Sequence, residues 1–172
     1  VFVLSSRLVT AYNQAPRILN SEVLLDLPCE EDLWSADNIH SWLALGGATG
    51  AEQKTVSFAD ALSFLLTASQ RPHADQNMSG SYHGTFGCGV PFDQVQESEL
   101  KPSTFGCYIL INALHVYIWE TRQRHNGRLW TTQETEAMHG QIEPALRAWQ
   151  AAWRANPNHS LERPNPYGPL PA

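Results

Sequence analysis

The chain has 172 residues, which suits one domain or part of one. Hydrophobic residues make up 42% and charged residues 16%, below the usual share of about 25%, so a core can form while the surface stays thinly charged. The net charge of −6, with Lys54 and Lys101 the only lysines, argues against a nucleic-acid surface, which needs clustered Lys and Arg to neutralise phosphates.

Val1, Leu4, Leu8, Ala11 and Tyr12 follow helical spacing and predict a first helix over 1–13, broken before Pro16. Neither a charged leader nor a small-residue cleavage site accompanies them. The expectation is therefore a chain that opens inside a helix, as a fragment of a longer protein, and not on a secretory leader. Residues 17–30 are ambiguous, because Leu19, Val23, Leu24, Leu25 and Leu27 are apolar but Pro28 stops any regular element. Glu30, Glu31 and Asp32 bring the negative charge that suits a helix start, here a short one carrying Leu33 and Trp34. Asp37 is placed to cap a second short helix with Ile39, Trp42, Leu43 and Leu45, ended by Gly46 and Gly47. Residues 46–56 read as a loop. Ser57 with Asp60 resembles a capping box, and the helix behind it puts Phe58, Ala61, Leu62, Leu65 and Leu66 on one face.

Residues 72–102 are irregular and rich in Gly, Ser, His and Asn, which predicts a long loop. Ser103 can cap a long apolar helix that runs to about residue 126, with Gly127 as its stop. Cys107, Leu110, Ile111, Leu114 and Ile118 form one stripe of it, and Asn112, His115, Trp119 and Arg122 another. The apolar run from Phe105 to Trp119 is shorter than the roughly 20 residues of a membrane span and holds Asn112 and His115, so it reads as a core helix, with no membrane partner. Arg122, Arg124, His125 and Arg128 suit the negative end of that helix dipole. Thr131 with Glu134 is a second capping box, opening a helix to about residue 155. Its inner face is Ile142, Ala145, Leu146, Trp149, Ala152 and Trp153, and Pro144 should kink it or split it near Gln141. The five prolines of 156–172 read as an extended connector to missing downstream helices. No strand is predicted. The expected fold class is all-α: an irregular helical bundle with a long antiparallel pair at 103–126 and 132–155, forming a partial domain over 1–155.

The chemistry-bearing residues do not assemble into a complete site. His73, His83, Cys88 and Asp93 match no standard zinc spacing. Cys88 with His83 resembles a thiol and its base, but neither an orienting partner nor an oxyanion site can be identified. His115 reads as a hydrogen-bonded core histidine. Glu30, Glu31 and Asp32 are adjacent, so on a helix they point in different directions and form no acid–base pair. Trp34, Trp42, Trp119, Trp149 and Trp153 sit beside aliphatics on helix faces and read as core. Cys29, Cys88 and Cys107 make an odd set without metal spacing, which suits a reducing compartment. No catalytic, cofactor-binding or metal-binding residue is assigned, and no cofactor is expected in this chain.

One segment is more specific. It runs from Pro16 through Leu27-Pro28-Cys29 and Leu33-Trp34-Ser-Ala36 to Trp42. It resembles a signature of the fungal-specific transcription factor regulatory domain, the middle homology region of xylanolytic activator type. The family pattern has an apolar-acidic stretch, Leu-Pro-Cys, Leu-Trp-x-Ala and then a Trp. Leu27, Pro28, Cys29, Leu33, Trp34, Ala36 and Trp42 match it. The helix over 103–126 and the stretch from Ala145 to Trp153, followed by Asn165-Pro166-Tyr-Gly-Pro-Leu, are similar to later parts of the domain. The version is closest to members with two-Cys two-His zinc fingers.

The resemblance implies a nuclear regulatory segment of a zinc-finger transcription factor controlling RNA polymerase II transcription, and no enzyme. Its partners would be the rest of its own chain, a second copy or coregulator proteins. DNA and zinc would be bound only by an upstream region absent here. The alternatives are a helical small-ligand sensor or a thiol enzyme using Cys88 and His83. A short amphipathic helix has little stability alone and must dock, so Trp34 and Trp42 are expected to be largely buried against the helices at 58–69 and 103–118. The faces at Leu110, Leu114, Trp149 and Trp153 are expected to need cover beyond what this length supplies.

Overall fold

The computed structural model describes residues 1–71, 100–123 and 129–156. The expected loop up to residue 99 and the connector from residue 157 lie outside them, as does Gly127. Seven α-helices are present among the described residues: α1 (Phe2–Tyr12), α2 (Glu31–Trp34), α3 (Ile39–Ala44), α4 (Gly47–Lys54), α5 (Phe58–Leu66), α6 (Thr104–Gln123) and α7 (Thr132–Ala155). There is no sheet among them; the one extended pairing is an isolated antiparallel bridge between Asp26 and Ser57. The fold is all-α, and none of the described helices is long and apolar enough to cross a membrane.

α6 is the centre, packed against α1, α5 and α7. Cys107, Leu110 and Ala113 on it are completely buried, and Leu114 is 1% exposed. α5 adds Phe58, Ala61, Leu62 and Leu65, a buried stripe at helical spacing. α7 adds Ala145. The alanines at 61, 113 and 145 are the small side chains that let three helices approach closely. Phe2 brings α1 into the same core with its ring edge-on to Phe58, centroids 5.5 Å apart. On the flank of α1, the Ser6 hydroxyl donates to Asn112 Oδ1 at 3.1 Å, and Arg7 donates to the Tyr108 hydroxyl.

α6 and α7 are antiparallel. Trp149 Nε1 donates to the Cys107 carbonyl (2.8 Å) near one end and the Tyr117 hydroxyl to Gln141 Oε1 (2.9 Å) further along, so sequence order reverses between the helices. Thr131 and Glu134 form the expected capping box at the start of α7. Pro144 does not split the helix, which runs unbroken from Thr132 to Ala155. Proline removes one backbone donor, but Ile142 and Ala145 on either side of it are buried, and that packing holds the helix continuous.

Two other expectations fail locally. Residues 46–56 are not a loop, because Gly47–Lys54 forms α4. Gly46 and Gly47 adopt positive φ (103° and 56°) and turn the chain, after which Ala48, Ala51, Glu52, Gln53 and Lys54 favour helix. The cap of α3 is Asn38, not Asp37: Asn38 Oδ1 accepts from the Ser41 amide at 2.9 Å. Ser57 and Ser103 do cap α5 and α6, accepting from the Asp60 amide (3.4 Å) and the Gly106 amide (3.0 Å).

Candidate functional site

The signature segment enters along the start of α5. The Leu27 amide donates to the Val56 carbonyl (2.8 Å) and the Phe58 amide to the Leu25 carbonyl (3.2 Å), which fixes the short bridge. The bridge drives Leu27 into the core, where it is 4% exposed. One residue on, the Pro28 carbonyl accepts from the Ser103 hydroxyl at 2.8 Å. Ser103 thus caps α6 and clamps the signature loop to it. Gly106 completes the fit, since a Cβ there would lie 3.1 Å from Ser103 Oγ and 3.7 Å from the Leu27 Cβ.

The start of α6 also receives the end of α7. The Thr104 hydroxyl donates to Asn156 Oδ1 (2.8 Å), and Asn156 Nδ2 donates to the Pro102 carbonyl (3.3 Å). Trp149, bonded to the Cys107 carbonyl, stacks on Trp153 with ring centroids 6.0 Å apart. Pro102, Ser103 and Thr104 therefore join the signature loop to the end of α7.

The seven signature residues divide between two surroundings. Leu27 is core, while Pro28 and Cys29 are half-buried over the start of α6. Leu33 and Ala36 are half-buried further on. Trp34 is 74% exposed, which overturns the expectation that it is core. The reason is topological: α3 packs on α4, and neither α2 nor α3 reaches α5 or α6 with any substantial contact. Trp42 is half-buried, its ring 3.3 Å from where a Cβ on Gly47 would sit, so its cover comes from α4 and not from the main bundle. Trp119, Trp149 and Trp153 are half-buried as well. Leu110 and Leu114, expected to lack cover, are fully packed by α5 and α7.

The titratable groups assemble no reaction centre among the described residues. Burial, followed by the nearby Glu30 carboxylate, pushes the Cys107 thiol up to about 12. A neutral thiol is a poor nucleophile and metal ligand. Cys29 is a free, half-buried thiol. His115 is not the core histidine the sequence suggests: it lies exposed on α6, and the partial cover of its ring lowers its pKa. Trp119 Nε1 and Glu120 Oε1 are shielded atoms without a hydrogen-bond partner, but they belong to adjacent residues that diverge around the helix and do not converge on one ligand. No three His, Cys, Asp or Glu side chains among the described residues are grouped to hold a metal. His73, His83, Cys88 and Asp93, the residues of the thiol and metal readings, lie outside the described residues.

The chain is matched by no protein-family model, no curated protein and no solved structure.

Proposed function

We propose that the chain is a regulatory, protein-interaction segment of a fungal zinc-finger transcription factor acting on RNA polymerase II transcription in the nucleus. DNA and zinc would be bound elsewhere in the parent protein. The observation that carries the reading is the tie of Leu27 and Pro28 of the signature into the bundle; Trp34, at 74% exposure, departs from the burial expected of it and speaks only for the interaction role. A fold has little use for an exposed Trp, and interfaces draw much of their binding energy from such residues. The acidic charge and the all-helical fold agree with a segment that works through other proteins.

Tethered to a promoter through an unrelated DNA-binding module, the chain is expected to change reporter output several-fold, up or down. Output equal to that of the module alone would overturn the regulatory role. Paired zinc fingers encoded upstream of Val1 would support the family, and an upstream enzyme domain would count against it.

A further inference from the structure

We propose that α2 and α3 form a docking surface for a basic amphipathic helix of a partner protein. This rests on the interaction role argued above and adds the chemistry of the partner. Within a dozen residues, Trp34, Ile39, Leu43 and Leu45 are 74%, 65%, 57% and 43% exposed. Ile39 and Leu43 lie one turn apart on α3 and share a face. Trp42 and Leu43 both lie beside Gly47 of α4, but Trp42 is half-buried there while Leu43 keeps 57% exposure. This part of the chain therefore spends one aromatic on its own cohesion and leaves four large side chains exposed.

Charge selects the occupant. From Ile18 to Gln53 the sequence contains seven carboxylates and neither Lys nor Arg. Asp32 and Asp37 in that stretch are exposed and flank Trp34 along the chain. A partner bringing apolar side chains to this surface meets negative charge beside them, so Lys and Arg next to its apolar face are favoured and acidic faces are repelled. A second copy is disfavoured on the same ground, since it carries the same net charge of −6. The partner element is a helix because α2 and α3 bond their own backbone and offer no strand edge. Recognition must then come from side chains at helical spacing. Three or four exposed apolar residues suit a small, transient interface.

The test uses the full chain and a labelled helical peptide of about 18 residues built from Leu and Lys, with Leu on one face, beside the same peptide with Glu for every Lys. The Leu/Lys peptide is expected to bind, to shift Trp34 emission to the blue, and to weaken as salt is raised. Trp34→Ala, and separately Ile39→Ser with Leu43→Ser, should each weaken it about tenfold, equivalent to about 1.4 kcal/mol. Asp32→Asn with Asp37→Asn should weaken it and flatten the salt dependence. Each variant changes exposed positions, and an unchanged melting temperature confirms its fold. Equal binding of the Leu/Glu peptide, or affinity unmoved by all three variants, overturns the proposal. So does a shift of the free chain's sedimentation on Trp34→Ala, which would make the occupant a second copy. Reporter activity without peptide binding would reject this surface and leave the regulatory role standing; peptide binding without reporter activity would do the reverse.

Discussion

Ser103 shows how much one side chain can settle. Its place before an apolar run marks it as a helix cap, and it is one. Its bond to the Pro28 carbonyl, seventy-five positions back, follows no local rule and emerges only from the packed structure. Trp34 shows the reverse. Beside Leu33 it looks like core in the sequence, yet it faces water, because nothing local in a sequence tells a helix that docks on the bundle from one that does not. Trp34→Ala should therefore cost less than about 0.5 kcal/mol. Leu110→Ala, at a completely buried site, should cost about 2–5 kcal/mol. Urea denaturation of both variants checks this, and similar losses would place Trp34 in the core after all. Cys107 offers a test by pH. An exposed thiol titrates at 9.0, while the folded Cys107 holds its proton to about 12. Above pH 9 the unfolded chain gives up that proton and the folded chain does not. The stability tied to this thiol is thus intact below pH 9 and lost as pH climbs toward 12. The melting temperature of the wild type should fall more steeply over that range than that of Cys107→Ala; parallel curves would refute the shift.

Among the elements, the long ones were legible and the short ones only in part. α5, α6 and α7 repeat apolar residues at helical spacing and open on Ser57, Ser103 and the Thr131–Glu134 box, so pattern and caps agree. α4 was hidden by its glycines. The continuity of α7 across Pro144 was hidden because packing, not propensity, decides it. The outlying α2–α4 layer could not be foreseen, since its position depends on contacts that it does not make. That layer should open first. Helices of four, six and eight residues are marginal alone, and these three have little of the bundle to lean on. Hydrogen exchange should reach the amides of Trp42 and Leu43 well before those of Leu110 to Leu114. Simultaneous exchange would mean that layer and bundle unfold as one unit.

For the molecule as a whole, the all-α class, the central apolar helix and its antiparallel partner could be read from the sequence. The place of the uncovered apolar surface could not. It was expected on the inner faces of α6 and α7, but Phe58, Leu62 and Leu65 of α5 fill the space there, and the exposed apolar side chains lie on α1 (Leu4, Tyr12), at Leu24 and Leu25, and on α2 and α3. Charge makes a separate forecast. With −6 overall and few basic residues, the chain releases few counterions on meeting DNA. It should leave a duplex unshifted in a gel at any salt concentration, and a salt-sensitive shift would refute this.

The bonds of Asn156 to Thr104 and to the Pro102 carbonyl carry a kinetic consequence. They bring the exit of the α6–α7 hairpin back to its entrance and close it. Its hydrogen bonds span 24 to 54 positions of chain, against 101 and 106 for those of α1 on α6, so closing it costs less entropy than docking α1. The hairpin should then assemble early and serve as the template on which α5 and α1 later settle. Substitutions at the closure, such as Asn156→Ala, should slow refolding, whereas Phe2→Ala at the α1 contact should mainly hasten unfolding. The opposite pattern would mean that the amino-terminal helices lead.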